Sequence, residues 1–154
     1  MSRRCARGTS LLELLLVMAL IALAGVLAVA TFSGGLDGMR LRSSAKEIAS
    51  QLRYTRAQAI ASGREQRFEI DPVQRVWRSS GSRHGEVPAT VDVTFTGARE
   101  AQLSPETGAI VFFEDGGSTG GRMRLQSSKA VWQIDVAWLT GEVTLSRPLL
   151  EQAR

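Results

Sequence analysis

Residues Glu13 to Leu36 read ELLLVMALIALAGVLAVATFSGGL, and after Glu13 no charged side chain appears until Asp37. The uncharged run, Leu14 to Leu36, is 23 residues long. At about 1.5 Å per residue a helix of that length spans about 35 Å, more than the roughly 30 Å hydrocarbon core of a bilayer. Buried helices of soluble domains are usually shorter and amphipathic. A secretory signal peptide is a competing reading, because Ala28-Val29-Ala30 matches a small-residue cleavage site. Signal peptides carry a shorter apolar stretch, about 7–15 residues, and here an acid stands at its entrance. A membrane anchor fits better. Arg3, Arg4 and Arg7 flank the run on its N-terminal side. The positive-inside rule then puts the N-terminus in the cytoplasm and the rest of the chain across the membrane.

Outward from this run the composition is that of a modest soluble domain. The chain has 154 residues, enough for one domain with an appendage. Its formal charge of +4 is mostly a property of the first eight residues. Removing Arg3, Arg4 and Arg7 from 19 basic side chains leaves 16 against 15 acidic ones, or +1. Mixed charges of that kind describe a solvated surface rather than a nucleic-acid footprint. The single cysteine, Cys5, lies in the same leader, so neither a disulfide framework nor a cysteine metal cluster is expected.

Glu13 is the informative residue of the N-terminal segment. A carboxylate in a membrane helix costs on the order of 2–3 kcal/mol near the centre and less near an end. It either snorkels to the headgroups or meets a cation, and the nearby choices are Arg7 or a newly exposed amino terminus. Gly8-Thr9-Ser10-Leu11-Leu12-Glu13-Leu14-Leu15 resembles the processing motif of type IV pilins and type II secretion pseudopilins. The resemblance implies that a prepilin peptidase cuts between Gly8 and Thr9 and N-methylates Thr9. It also implies that Glu13, fifth in the mature chain, pairs with the Thr9 amino group of a neighbouring subunit and sets axial register. Thr9 stands where that family commonly has phenylalanine or methionine. The helix-bending proline of many pilins is absent, and only Gly25 interrupts the segment.

The helix is expected to continue past the membrane. Leu41, Ala45, Ile48, Leu52 and Ala59 recur on one face, while Arg42, Lys46, Glu47, Arg53 and Arg56 take others. Ser33-Gly34-Gly35 is a candidate loosening of the join, and Gly63 is a C-terminal stop. Beyond Gly63 the period changes to that of strands. Gln66 to Ile70 and Val76 to Arg78 flank the turn signal Asp71-Pro72 and predict a hairpin. Val91 to Phe95, Ile110 to Phe113, Met123 to Gln126, Val131 to Val136 and Val143 to Leu145 predict further strands. Trp132, Ile134 and Val136 form an inward row. Ser79 to Pro88 reads as a polar exposed loop, and Thr140-Gly141 as a tight turn. The expected fold is α+β: a long N-terminal α-helix, transmembrane in its first half and amphipathic in its second, packed on a small antiparallel β-sheet domain. The expected divisions are a cleaved leader at 1–8, a transmembrane half at 9–36 and a periplasmic pilin-like domain at 37–154. The last comprises a helix half at 37–63 and a sheet region at 64–154.

A second resemblance covers the sheet region. Phe112 to Gly121, Met123 to Leu125, Trp132 to Val136 and Thr140 to Val143 are similar to the C-terminal signature of the GspH/FimT family, and Tyr54 to Ile60 to its helix segment. This implies an H-type minor pseudopilin of type II secretion, or its close relative among type IV pilus minor subunits, which serve pilus priming or DNA uptake. The implied partners are other minor and major pseudopilins, the prepilin peptidase and inner-membrane lipid.

Nothing in the residues points to catalysis. Gly116, Gly117, Gly120 and Gly121 form a glycine-rich stretch, but no Lys-Ser or Lys-Thr pair follows and Arg122 precedes a strand rather than a helix. The four glycines therefore read as a hairpin connection or a candidate contact loop. His84 is the only histidine and lacks the companions of a zinc site or an oriented base. Asp115, Asp135 and Glu142 are scattered, so no metal and no cofactor is expected. Arg83, Arg99, Arg122 and Arg124 would attract phosphate only if folding gathered them, which leaves nucleic acid as the weaker alternative partner.

Overall fold

The computed structural model of the chain describes residues 10–97, 107–128 and 130–148, with side chains described outside 27–36. Among the described residues one helix, α1 (Leu11–Ser62), is followed by eight strands. They are β1 (Gln66–Asp71), β2 (Val76–Ser79), β3 (Arg83–Glu86), β4 (Asp92–Gly97), β5 (Gly108–Phe112), β6 (Gly121–Gln126), β7 (Val131–Val136) and β8 (Val143–Ser146). The chain divides into two compact units with the break between Leu36 and Asp37.

Both ends of α1 follow from local chemistry. Ser10 caps the start: its Oγ accepts from the Leu12 N–H at 3.3 Å, and its carbonyl accepts from Glu13 and Leu14. Glu13 falls in the first turn, where the helix dipole favours an acid. The helix remains helical through Ser33-Gly34-Gly35. It stops at Gly63, whose φ of 58° is left-handed. The Arg64 N–H then reaches back to the Ala59 carbonyl at 3.4 Å, the closing bond of a Schellman cap.

The second unit has two four-stranded sheets where the sequence suggested one small sheet. The first runs β3-β2-β1-β5 and the second β4-β6-β7-β8. All pairings are antiparallel. In the hairpin between β1 and β2, Asp71 Oδ1 accepts from the N–H groups of Val73 and Gln74 at 2.9 and 2.8 Å, which fixes the turn. Leu41, Ala45, Ile48, Leu52 and Ala59 of α1 are all fully buried. They share one core with Phe68, Trp77, Ile110 and Phe112 of the first sheet and Met123, Leu125, Ile134 and Val143 of the second. The Phe68 and Trp77 rings stack with centroids 6.1 Å apart. On β7 the inward row includes buried Ile134 and Val136, while Trp132 is half-buried against the core.

The stretch Ser79 to Pro88 contains strand β3 and is not simply an exposed loop. Gly85 stands opposite Trp77, and a Cβ there would lie 2.5 Å from the indole ring, so the glycine leaves room for it. The Arg83 guanidinium lies 4.0 Å over the centre of the Tyr54 ring, a cation–π contact that ties this edge strand to α1. A buried hydrogen bond of 2.7 Å between Thr55 Oγ1 and Ser79 Oγ makes a second tie. The sheets meet at Phe95: Gly108 lies so close to it that an added Cβ would fall 2.3 Å from the ring.

That contact generates a prediction. Gly108→Ala forces Phe95 from its place at a cost of about 1–3 kcal/mol, the usual range for overpacking. Thermal unfolding of the detergent-solubilised full chain, followed by circular dichroism, should show a clearly lower midpoint. An unchanged midpoint would contradict the close approach.

Candidate assembly site

The N-terminal unit presents an unusual surface. Leu11, Leu12, Leu15, Met18, Ile21 and Val26 are each more than 60% exposed, and the intervening leucines are exposed as well. A helix that is apolar on every side is normally covered by protein or by lipid. Among the described residues no helix is long and apolar enough to cross a membrane. The uncharged run continues through 27–36, whose side chains lie outside the description. Glu13 is exposed in the first turn of this surface. Gly8 and Thr9, the expected cleavage and methylation positions, lie outside the described residues.

The glycine-rich stretch is the other candidate, and it is packed inside the second unit. Gly116, Gly117 and Gly120 are buried, and Gly121 opens β6. Gly116 and Gly120 have φ of 87° and 69°, which β-carbon-bearing residues rarely adopt. The Gly116 carbonyl accepts from Arg56 Nε of α1 at 3.0 Å. A Cβ on Gly116 would touch Ile60, also on α1, at 3.1 Å. Asp115 Oδ1 accepts from the Gly117 N–H at 2.8 Å. Ser118 joins the loop to the connection between β7 and β8, donating its N–H to the Trp138 carbonyl at 2.9 Å and its Oγ–H to the Ala137 carbonyl at 3.0 Å. Gly141 completes the joint with φ 62°, and a Cβ on it would lie 2.2 Å from the Gly116 carbonyl oxygen. Helix, glycine loop and strand connection thus converge on one peptide group. Arg53 adds a parallel tie, donating to the Val143 carbonyl of β8 at 2.9 Å.

The remaining polar candidates separate. Asp135 pairs with Arg122 across β6 and β7 and also accepts from Gln133 Nε2 at 2.7 Å. Asp115 belongs to the glycine loop and Glu142 to the connection before β8. Among the described residues no three His, Cys, Asp or Glu side chains gather to hold a metal ion. His84 is exposed on β3. Arg122 and Arg124 share a shallow polar concavity with Thr94, Thr96 and Gln126 on the second sheet, whereas Arg83 belongs to the first sheet and Arg99 lies outside the described residues. The sequence did not single out Arg53, Arg56 or the pair Trp138 and Leu139. The arginines read as solvated helix faces because their acceptors are far away in sequence. The pair belongs to a connection marked only by Thr140-Gly141.

With this architecture in place, the comparisons give the class. Residues 44–141 match the family of type II transport protein GspH. The chain belongs to that family. The type II secretion system protein H of Xanthomonas campestris pv. campestris is 62% identical over 141 residues, covering 92% of this chain and 83% of that protein. The fold is similar to the minor pseudopilin EpsH of the type 2 secretion system of Vibrio cholerae, with a TM-score of 0.58, 14% identity, and 71% and 98% of the two chains covered. It is also similar to the type IV minor pilin FimU of Pseudomonas aeruginosa, with a TM-score of 0.54, 17% identity, and 70% and 92% covered. Those two structures therefore share this α+β, pilin-like architecture.

The joint around Gly116 makes a graded prediction. Arg56→Ala removes a hydrogen bond from a charged donor, worth about 1.5–3 kcal/mol. Gly141→Ala sets a methyl group against a backbone oxygen at a left-handed position and should destabilise the chain more. Guanidinium unfolding of both full-length variants in detergent checks the order, and equal stability of Gly141→Ala and the parent would refute the joint.

Proposed function

We propose that this chain is a minor pseudopilin of a type II secretion system, a non-enzymatic subunit of the periplasmic pseudopilus that supports protein export across the outer membrane. The observation that carries the reading is the 62% identity, over 92% of the chain, to a type II secretion system protein H. The likeness to FimU concerns the fold and does not favour the pilus.

The N-terminal segment supplies the mechanism. The prepilin peptidase removes 1–8 at Gly8 and methylates Thr9. The mature helix stays in the inner membrane as a single pass, with its N-terminus cytoplasmic and its second unit periplasmic. The exposed apolar surface from Leu11 to Val26 and the 23-residue uncharged run support this placement. In lipid, an unpaired carboxylate is costly and a paired one is tolerated. Glu13 then meets the Thr9 amino group of a neighbouring major or minor pseudopilin only when the two helices are in axial register. The subunit's place is at or near the filament tip, where a minor component is needed in few copies. The tightly packed glycine loop serves the shape of the domain.

Deletion in the source organism tests the reading. Exoprotein secretion should fall while pilus-driven motility and DNA uptake persist, and the intact gene should restore secretion. Lost motility or uptake with normal secretion would move the chain to the pilus. At the residue level, Gly8→Ala should leave an unprocessed precursor in the membrane. Glu13→Leu should be processed yet incorporate poorly, as judged by crosslinking to other pseudopilins; normal incorporation would remove the register role.

A further inference from the structure

The connection between β7 and β8 carries two large apolar side chains that the core does not use. Trp138 is 71% exposed and Leu139 is 70% exposed. Scattered exposed apolar residues are ordinary. This pair differs because its backbone is fixed from several sides. The Trp138 carbonyl accepts from the Ser118 N–H at 2.9 Å, and the Ala137 carbonyl accepts from both Ser118 Oγ and the Gly141 N–H, at 3.0 and 2.8 Å. The Ala137 N–H donates to the Glu142 carbonyl at 3.0 Å. Gly120 approaches the Trp138 backbone so closely that a Cβ there would touch the Trp138 Cβ at 3.0 Å. The pair is held in position before any partner arrives, which removes much of the ordering cost of binding. Tryptophan is also among the residues that most often dominate interface energies.

The surroundings select the partner's chemistry. Asp115 borders the pair: a Cβ on Gly117 would meet Asp115 Oδ1 at 3.1 Å and the Leu139 carbonyl at 3.3 Å. Glu114 and Glu142, next to Asp115 and Gly141 in the chain, are exposed and form no ion pair among the described residues. Two cations stand on the helix side of the joint, Arg56 bonded through Nε to the Gly116 carbonyl and Arg53 through Nη2 to the Val143 carbonyl, against the three carboxylates Glu114, Asp115 and Glu142. The result is a rigid apolar knob with an acidic border. We propose that Trp138 and Leu139 dock into another pseudopilin of the same filament, at an apolar pocket bordered by lysine or arginine. The inference rests on the pseudopilin reading and adds a contact in the second unit to the helix contacts of the first.

A photo-crosslinking amino acid at position 139 of the full-length chain, expressed in the deletion strain, tests it. Position 73, equally exposed at 72% in the turn between β1 and β2, is the control. Irradiation should yield a product containing a different pseudopilin from position 139 and none from 73. Trp138→Ala, and separately the charge reversal Glu142→Lys, should each lower that yield about five-fold or more at unchanged membrane levels. In the same strain, Trp138→Ala with Leu139→Ala should fail to restore secretion where the parent chain restores it. A product made of two copies of this chain, a yield insensitive to both substitutions, or no product with secretion restored would overturn the docking inference alone. Failure of the parent chain to restore secretion would overturn the functional reading and the inference with it.

Discussion

The structure depends on how α1 disposes of its apolar surface. From Leu41 to Ala59 the large apolar residues Leu41, Ile48 and Leu52, with Ala45, Ala49 and Ala59, are fully buried in the core shared with the two sheets. From Leu11 to Val26 the apolar residues occupy every side and remain exposed. Fully burying one leucine-sized side chain is worth about 1.5–3 kcal/mol, so an uncovered run of them is a strong demand on the surroundings. In the proposed function lipid meets that demand first and neighbouring helices meet it later. In the same proposal Glu13, at the capped start of the run, adds direction to an otherwise non-directional attraction.

The second half of α1 also organises the sheets. Thr55 bonds to β2, Arg53 to β8 and Arg56 to the glycine loop. These three positions lie within one turn of one another, and their partners belong to both sheets and the link between them. Glycine at 116 and 141 allows the loop and the strand connection to approach the same arginine. The consequence reaches the surface, since the same bonds that close this joint hold Trp138 and Leu139 outward.

Much of this was legible in the residues. Spacings of three and four picked out the helix face, and each of the five residues read there is fully buried. Gly63 ends α1 through the left-handed conformation that only a glycine adopts cheaply. Strands with alternating apolar residues were found where they occur. Strand β3 was not, because Arg-His-Gly-Glu contains no apolar residue and owes its place to Trp77 and Tyr54. Alternation shows which face of a strand is buried but not which strands pair, so the division into two sheets was invisible too. The glycine stretch read as a hairpin connection or a contact loop, and its packing against α1 was not legible because the donor to the Gly116 carbonyl lies 60 residues away. The partner proposed for Glu13 belongs to another chain and rests on resemblance.

The central claim is that the Leu11 to Val26 surface is covered in the cell, by lipid or by neighbouring subunits. If Cys5 leaves with the leader, the mature chain has no cysteine, so one introduced at Leu16 reports alone. A membrane-impermeant maleimide applied to cells with a permeabilised outer membrane should label Ser43→Cys, at an exposed position of the second unit, and leave Leu16→Cys unlabelled until the membrane is dissolved. Equal labelling of both cysteines in intact membranes would mean that the apolar surface stands in water, and would contradict the account.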